Sequence, residues 1–469
     1  MRRPSRHTSP NKQRGVALMV MLVVMIMGIA AALIGSLTTT ALKNEQQRKT
    51  AEALAQAKDA LIGYAVKVQL SHSTACIPNC TRPGDLPCPD IDNDGSAESS
   101  CGNASGSTGQ TTRIGRLPWR TLGLPDLRDG SGERLWYVVS NNFKNNYRTS
   151  CTSPGQTGCL NSDTVGTISV SARDGTRIND GSGSTGAVAI IIAPGDILKR
   201  QDGLQQDRSS IGINIASNYL DIATVGGNTE DNANFIDGSS SNGFIQGQID
   251  DGNGNTIVND QLLVISQENI IQPVQKRVAA EVRLCLEDYA SNNLGCYPWA
   301  TPLNDLGTYH DEHDQYFGRL SDNLDNTRSD SYVGGPIFSY TMDNDWGTGA
   351  CNTHYNNTPS GWWINWKEMV FYGVARRFRP NDTTAPDFPS TCATPGNCLN
   401  VNSLNTPAKF VVIVAGKKLG NPDQALRNIN KTNAFYYLEG GNENADQSGG
   451  YTFIQSSPSA TFNDTLIYR

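Results

Sequence analysis

The chain has 469 residues, with 38 Lys and Arg against 45 Asp and Glu, and a formal net charge of -7. This acidic balance argues against a nucleic-acid partner, because such proteins carry a basic footprint. A mean hydropathy of -0.42 excludes a polytopic membrane protein. With 46 glycines and only 18% charged residues, the composition favours a turn-rich protein with much β-structure over a helical bundle.

The amino-terminal segment differs from the rest of the chain. Residues 1–15 carry basic but no acidic side chains, and residues 16–42 carry no charge at all. Because about 20 apolar residues span a bilayer, we expect a transmembrane half-helix at 16–42. The basic residues precede it, so the positive-inside rule predicts a single-pass inner-membrane protein with a cytoplasmic amino terminus and a periplasmic or extracellular remainder. A secretory signal peptide is the alternative, although no small-residue cleavage site ends the run.

The helical pattern continues past the apolar run. Leu54, Leu61 and Val68 recur every seven residues, with polar side chains between them. This spacing is typical of an amphipathic helix. The sequence therefore predicts one continuous helix of roughly 55 residues, apolar all round in its first half and on one face in its second.

The amino terminus resembles that of a type IV pilin or pseudopilin precursor. It has a short basic leader, a break at Arg14-Gly15 and a two-part helix that begins at Val16. The resemblance implies cleavage after Gly15 by a prepilin peptidase and methylation of Val16. Pilins usually have Glu at mature position five, where this chain has Val20. The resemblance therefore implies a minor pilin or tip pseudopilin rather than a major filament subunit.

The remainder of the chain contains an internal repeat. The segment from Glu133 to Phe143 matches that from Glu368 to Phe378 in the pattern E-x-x-[WF]-Y-x-V-x-x-x-F. Further matches follow in the same order, and they are Gly115-Arg116-Leu117 with Gly318-Arg319-Leu320, Tyr219-Leu220-Asp221 with Tyr437-Leu438-Glu439, Phe244-Ile245-Gln246 with Phe453-Ile454-Gln455, and Asn259-Asp260 with Asn463-Asp464. Agreement in order over many blocks indicates a tandem duplication.

Each copy begins with a helix. The second, Gln267–Ser291, is too charged to enter a bilayer. We therefore expect an α+β protein in which a long membrane-spanning helix with an antiparallel sheet head precedes a second helix-plus-sheet, pilin-like head. The expected divisions are a leader at 1–15, a transmembrane half-helix at 16–42, a first head at 43–262 and a second head at 263–469. Unrelated repeats within one large β-domain are the alternative.

All 11 cysteines follow the apolar run, and export would expose them to an oxidising compartment. Several are spaced for short disulfide loops, although connectivity does not follow from sequence alone. The expected pairs are Cys88/Cys101, Cys151/Cys159, Cys285/Cys296, Cys392/Cys398 and Cys76/Cys80, which leaves Cys351 over.

An acidic loop is the one candidate metal site. Asp90, Asp92, Asp94 and Glu98 occupy loop positions 1, 3, 5 and 9, with Gly95 at position 6. This spacing matches the first half of a Ca²⁺ loop, although position 12 lacks the usual Glu. An Asx-rich surface turn is the alternative. Exposed polar loops are the favoured interpretation of 250–255 and of His310 with His313.

An aromatic cluster is the candidate partner contact. Trp362, Trp363 and Trp366 lie close together in the second copy and have no counterpart in the first. Such clusters bind sugars or proteins, but a run before a strand is more often core. The common hydrolase, nucleotide and zinc-protease motifs are absent, so we expect no enzyme activity.

Together these features predict a membrane-anchored minor pilin or pseudopilin that primes or caps a type IV pilus or type II secretion pseudopilus. Its expected partners are the inner membrane, the prepilin peptidase and other pilin-type subunits. The alternative is an uncleaved single-span inner-membrane protein that displays a periplasmic binding or adhesion module.

Overall fold

The computed structural model describes the chain in segments, and side chains before residue 41 are described only at Met25. The described segments are residues 14–68, 81–102, 110–144, 151, 158–209, 212–292, 295–307, 309–321, 362–380, 392, 396–404, 406–420 and 422–469.

Two long helices dominate the described part, α1 at Arg14–Lys67 and α2 at Gln267–Asn292; two short helices are α3 at Trp363–Trp366 and α4 at Pro422–Ala425. The side chains of residues 41–49 on α1 are exposed, and burial begins at Thr50. From there a single stripe enters the core because apolar residues recur at three- and four-residue steps. The buried apolar stripe consists of Ala53, Leu54, Ala57, Leu61, Ala65 and Val68.

The strands are short. They are β1 Ile114–Arg116, β2 Trp136–Val139, β3 Val170–Ser171, β4 Arg177–Asn179, β5 Ala189–Ala193, β6 Ile222–Val225, β7 Asn228–Asp231, β8 Phe244–Ile245, β9 Ile249–Asp250, β10 Thr256–Val258, β11 Gln261–Ile265, β12 Phe317–Arg319, β13 Val370–Val374, β14 Asn400–Val401, β15 Phe410–Val414, β16 Thr452–Phe453 and β17 Thr465–Tyr468.

Two four-stranded antiparallel sheets have matching strand orders. One sheet runs β1-β2-β5-β11 and packs against α1; the other runs β12-β13-β15-β17 and packs against α2. We call α1 with its sheet the first unit and α2 with its sheet the second unit. The register is equivalent, since Tyr137 of β2 lies opposite Gly115 and Tyr372 of β13 lies opposite Gly318.

The same tyrosines anchor equivalent loops. The hydroxyl of Tyr137 donates to the carbonyl of Pro87 at 3.2 Å, and that of Tyr372 donates to the carbonyl of Pro298 at 3.1 Å. Small accessory sheets also correspond, because β3 pairs in parallel with β8 and β14 pairs in parallel with β16. The matched sequence blocks thus occupy equivalent positions in the two units.

One hydrophobic cluster joins the two units. It contains Leu61 of α1, Ile191 of β5, Val278 of α2 and Val412 of β15, each with 0% exposure. The helices also contact each other directly, since the guanidinium of Arg277 donates to the carbonyl of Val68 at 2.9 Å. The units are therefore fused through their helices.

A loop of the first unit also docks into the second. We call residues 158–164 the inter-unit segment. The side chain of Asn161 donates to the carbonyl of Asn365 at 3.0 Å, and the hydroxyl of Ser162 donates to the carbonyl of Ala415 at 2.6 Å. Asp163 pairs with the guanidinium of Arg427 at 2.8 Å. This contact crosses more than 200 residues of sequence.

The predicted fold class is wrong in its membrane-spanning element. Among the described residues, no helix combines the length and the apolar character that crossing a bilayer requires. The described side chains of α1 begin at Ala41 and soon include Lys43, Glu45 and Arg48, which are costly to bury in lipid. The half-helix expected at 16–42 has almost all its side chains outside the described part.

The same finding contradicts the predicted inner-membrane localisation and the expectation of a transmembrane, single-pass protein. The predicted plan of one antiparallel sheet per head is also too simple. The described strands form six sheets, of which two contain parallel pairs. Short parallel pairs form here because distant loops return to the same edge.

Disulfides occupy three of the expected positions. The bonds are Cys88–Cys101, Cys151–Cys159 and Cys392–Cys398. The expected Cys285–Cys296 bond is wrong, because Cys296 is a buried free thiol and Cys285 is bonded to a different cysteine. Cys76, Cys80 and Cys351 lie outside the described residues.

Candidate functional site

The predicted cleavage site lies at the beginning of α1. Gly15 and Val16 fall within the helix Arg14–Lys67, and residues 1–13 lie outside the described part. Nothing is described of the side chain of Val16. Cleavage and methylation here remain predictions from the resemblance.

The acidic loop is a compact turn built around Asp90. Its buried carboxylate accepts hydrogen bonds from the main-chain N–H groups of Asn93 at 2.6 Å and Gly95 at 2.7 Å. Gly95 adopts a φ of 91° and lies against the Trp119 indole, so a side chain at this position has neither conformational freedom nor space. The sequence folds locally as an Asx-type turn that directs several oxygens inward.

Three acidic groups converge in this loop. Ligand atoms of Asp90, Asp92 and Glu98 all lie within 4.8 Å of one another. The fourth predicted residue, Asp94, accepts from the N–H of Ser96 at 2.6 Å and is not part of that group. Burial raises the pKa of Asp90, outweighing its hydrogen bonds from Gly95 and Asn93. A hard divalent cation suits such a set of oxygen ligands and would offset the charge that they concentrate.

The aromatic cluster lies in the core of the second unit. Trp362, Trp363 and Trp366 each have 0% exposure and pack in the common hydrophobic cluster. Trp362 and Trp363 meet edge to face at a centroid distance of 5.7 Å. The described surface therefore offers no indole of this cluster to a partner, and packing is the interpretation that the geometry favours.

The weaker polar candidates are loops. Residues between β9 and β10 form a hairpin, in which Asp251 accepts from the N–H groups of Asn253 and Asn255 at 2.8 Å. His313 approaches Asp314 at 3.2 Å, and its ring lies 5.4 Å from that of Trp299 at an interplanar angle of 55°. Within the described residues, neither His310 nor His313 belongs to a cluster of three potential metal ligands.

Sequence analysis missed a pair of buried carboxyl groups in the first unit. Asp221 and Asp260 hold each other's main chain, since Asp221 N donates to Asp260 Oδ2 at 2.8 Å and Asp260 N donates to Asp221 Oδ2 at 3.3 Å. Gln206 donates to Asp221 at 2.9 Å, and Asn232 donates to Asp260 at 2.8 Å. The pair connects the residues before β6 and β11.

The second unit repeats this arrangement with Glu439 and Asp464. Glu439 N donates to Asp464 Oδ2 at 2.9 Å, and Asn463 N donates to Glu439 Oε2 at 3.1 Å. The amide of Gln424 donates to Glu439, as that of Gln206 does to Asp221. Two distant parts of the chain thus build the same network.

Burial changes the acidity of three of these carboxyl groups. It raises the pKa of Asp221 to about 6 and that of Asp260 well above the ordinary range, and the charge of Asp221 raises the latter further. Burial and the neighbouring Glu439 likewise raise the pKa of Asp464.

A sequence signal for these pairs was present. Each acid falls in a block that matches between the two copies, Asp221 with Glu439 and Asp260 with Asp464. Sequence reasoning used the blocks only to align the repeat, because the pairing of acids 39 residues apart in the first unit and 25 apart in the second is a property of the folded chain.

These features give the chain a long helix with an exposed stretch at 41–49, an acidic loop and two buried carboxyl pairs as its distinguishing groups. Comparison of the chain with protein-family models, curated proteins and solved structures finds no match.

Proposed function

We propose that the chain is a non-enzymatic subunit of a pilin-type or pseudopilin-type filament, and that it primes or caps that filament. The observation that carries the proposal is the form of α1. Its side chains pack on the body from Thr50 onward, whereas the side chains at 41–49 are exposed. The helix before Thr50, from Arg14 to Lys49, is about 50 Å long. A helix of this length with an exposed stretch supplies a contact surface for the helices of other subunits.

The fused units support a terminal rather than a repeating position. The second helix, α2, packs between α1 and the sheet of its own unit, and its first residue follows β11 after Ser266 alone. It therefore has no free extension with which to enter a filament. A subunit with one long amino-terminal helix and two fused units suits the end of a filament. There the second unit meets no neighbouring subunit. Val20, in place of the usual Glu, supports the same position.

The amino terminus tests the proposal chemically. We expect mass spectrometry of the mature protein, isolated from cells that contain a prepilin peptidase, to show a chain that begins with methylated Val16. Substitution Gly15→Ala slows cleavage in this account, whereas Gly63→Ala, which places a methyl group in open space on the same helix, leaves cleavage unchanged. A mature chain that retains Met1 contradicts the proposal.

Cross-linking tests the contact surface. A photoreactive phenylalanine analogue at exposed Gln47 on α1 is expected to cross-link to other subunits that carry a pilin-type amino-terminal helix. The matched control is the same analogue at Ile178, which is 57% exposed on β4 of the body. Identified subunit partners at position 47 but not at 178 support the proposal. Equal cross-linking at both positions, or none at 47, overturns it.

We also propose that the acidic loop binds Ca²⁺ and thereby stabilises the first unit. Three convergent carboxylates support this assignment, and Arg134 fixes the loop by donating to the Asn93 side chain at 2.7 Å. Calorimetric titration of the chain with Ca²⁺ is expected to show a single binding event that Asp92→Asn weakens. The control is Asp250→Asn in the β9–β10 hairpin. Absence of binding at about millimolar Ca²⁺ contradicts the assignment.

A further inference from the structure

The two buried carboxyl pairs have a chemistry that the proposed filament role does not use. Asp221, Asp260 and Asp464 are at most 5% exposed, and Glu439 is 7% exposed. We propose that each unit holds one proton on its pair of carboxyl groups, and that these protons make the folded body more stable in mild acid and less stable as the pH rises.

Hydrogen bonding in the first unit leaves a place for the proton. Asp221 accepts from Gln206 on Oδ1 and from the N–H of Asn259 and Asp260 on Oδ2. Asp260 accepts on Oδ2 only, and its fully buried Oδ1 has no hydrogen-bond partner among the described residues. A charged oxygen without a donor is costly in such a position. A proton on Asp260 lowers that cost because it removes the charge.

The second unit brings Asp464 and Glu439 together in the same way, since Glu439 N donates to Asp464 Oδ2 at 2.9 Å and Asn463 N donates to Glu439 Oε2 at 3.1 Å. Asp464 also accepts from Gly416 N at 3.1 Å, and Glu439 accepts from the amide of Gln424. All of these donors are neutral, so two ionised carboxylates would repel each other in a buried position. One proton held by the pair reduces that repulsion.

Among the described residues, the arginines that face the first pair do not neutralise it, because each forms an ion pair with another acid. Arg200, which faces Asp221, pairs with Asp202 and Asp231 at 3.1 Å. Arg208, which faces Asp260, lies 3.4 Å from Glu133.

In the second unit Arg427 donates to the carbonyls of Tyr436 and Tyr437 and pairs with Asp163. The other charged groups in that region also have partners outside the carboxyl pair. Lys418 lies 3.9 Å from Asp163, and Lys431 lies 2.9 Å from Glu368. Each carboxyl pair therefore carries two negative charges when both groups are ionised, and one bound proton lowers this to one.

The direction of the pH effect follows from the raised pKa values. The folded protein binds a proton that the unfolded chain releases above its ordinary carboxyl pKa of about 4. The stabilisation is therefore complete below about pH 4 and declines as the pH rises through the folded values, about 6 for Asp221 and higher for its partner. As the pH rises, the residues that precede the edge strands β11 and β17 are released from the carboxyl pairs.

Carboxyl-to-amide variants test the proposal. Asp260→Asn and Asp464→Asn replace the protonated acid by an isosteric neutral group that donates where the acid proton would. In the full chain, we expect the urea midpoint to fall between about pH 5 and about pH 8 in the parent. We expect each variant to lose about half of that fall and the double variant to lose most of it. The exposed Asp59→Asn on α1 is the control.

Infrared spectroscopy gives a second readout that does not depend on the folding of a variant. At neutral pH the parent is expected to show the C=O stretch of protonated carboxylic acids, and the double variant is expected to lose it. A parent chain without that band overturns the proposal. So does an unchanged pH dependence of the midpoint in the double variant. Neither outcome bears on whether α1 enters a filament.

Discussion

The two units share a frame but use one equivalent arginine differently. In the first unit Arg208 donates to the carbonyl of Gly195 at 2.7 Å and lies 3.4 Å from Glu133 of the same unit. In the second, Arg427 makes the equivalent bond to Gly416 at 2.9 Å but pairs with Asp163 of the first unit at 2.8 Å. The same local network therefore closes one unit on itself and fastens the other to its neighbour.

The surroundings of the two sheets differ as well. The first unit carries the acidic loop beside β1, where Asp90 N donates to the carbonyl of Arg116 at 3.0 Å. The second unit carries the buried tryptophans before β13. The first unit has an added loop and the second has added core residues, yet both four-stranded sheets are intact. This indicates that the helix and the four strands are the essential part of each unit.

The largest expected effect comes from the aromatic core of the second unit. Trp366→Ala is expected to lower the free energy of unfolding by about 3–5 kcal/mol, because it removes a fully buried indole. Trp366→Phe keeps most of the apolar contact and removes an indole N–H that has no hydrogen-bond partner, so we expect a smaller loss. Urea denaturation measures both. Full stability of Trp366→Ala contradicts a core role.

The next effect separates the two arginines. Arg427→Ala leaves three main-chain carbonyls without this donor and Asp163 without its ion-pair partner, and we expect a loss of about 3 kcal/mol. Arg208→Ala in the first unit is the matched comparison, with a smaller expected loss because its ionic partner Glu133 is 28% exposed. Equal losses in thermal or urea denaturation would show that the inter-unit ion pair contributes no extra stability.

The smallest effect concerns the acidic loop. Asp90→Asn retains one acceptor oxygen but weakens the hydrogen bonds to the N–H groups of Asn93 and Gly95. We expect a loss of about 1 kcal/mol without Ca²⁺ and a larger difference with it. Denaturation with and without a chelator measures both values. The same loss under the two conditions would place the role of Asp90 in the turn alone.

Patterns among residues that are close in sequence correctly predicted the second helix and three short disulfide loops. The second helix, expected at Gln267–Ser291, is found at Gln267–Asn292, and three short disulfide loops lie where cysteine spacing placed them. Apolar periodicity and close spacing depend only on neighbours in sequence. The membrane assignment failed on the described residues, and Cys285 bonds to a cysteine other than Cys296.

Long-range contacts were beyond sequence reasoning. The inter-unit segment meets Asn365 and Arg427 across more than 200 residues, and its polar composition gives no sign of a buried docking role. The four acids of the carboxyl pairs stand at matching positions of the two sequence copies. The sequence does not show, however, that the two acids of each copy are neighbours in the fold. Three of the four acids named in the acidic loop, Asp90, Asp92 and Glu98, do lie close together, because they are within nine positions of one another, whereas Asp94 does not join them.

The central claim is that two equivalent units form one body with a common core. Differential scanning calorimetry of the full chain tests it most directly. We predict a single unfolding transition whose calorimetric and van't Hoff enthalpies agree, and a shift of the whole transition to lower temperature in Arg427→Ala. Two separate transitions, with only one of them moved by Arg427→Ala, would contradict the claim.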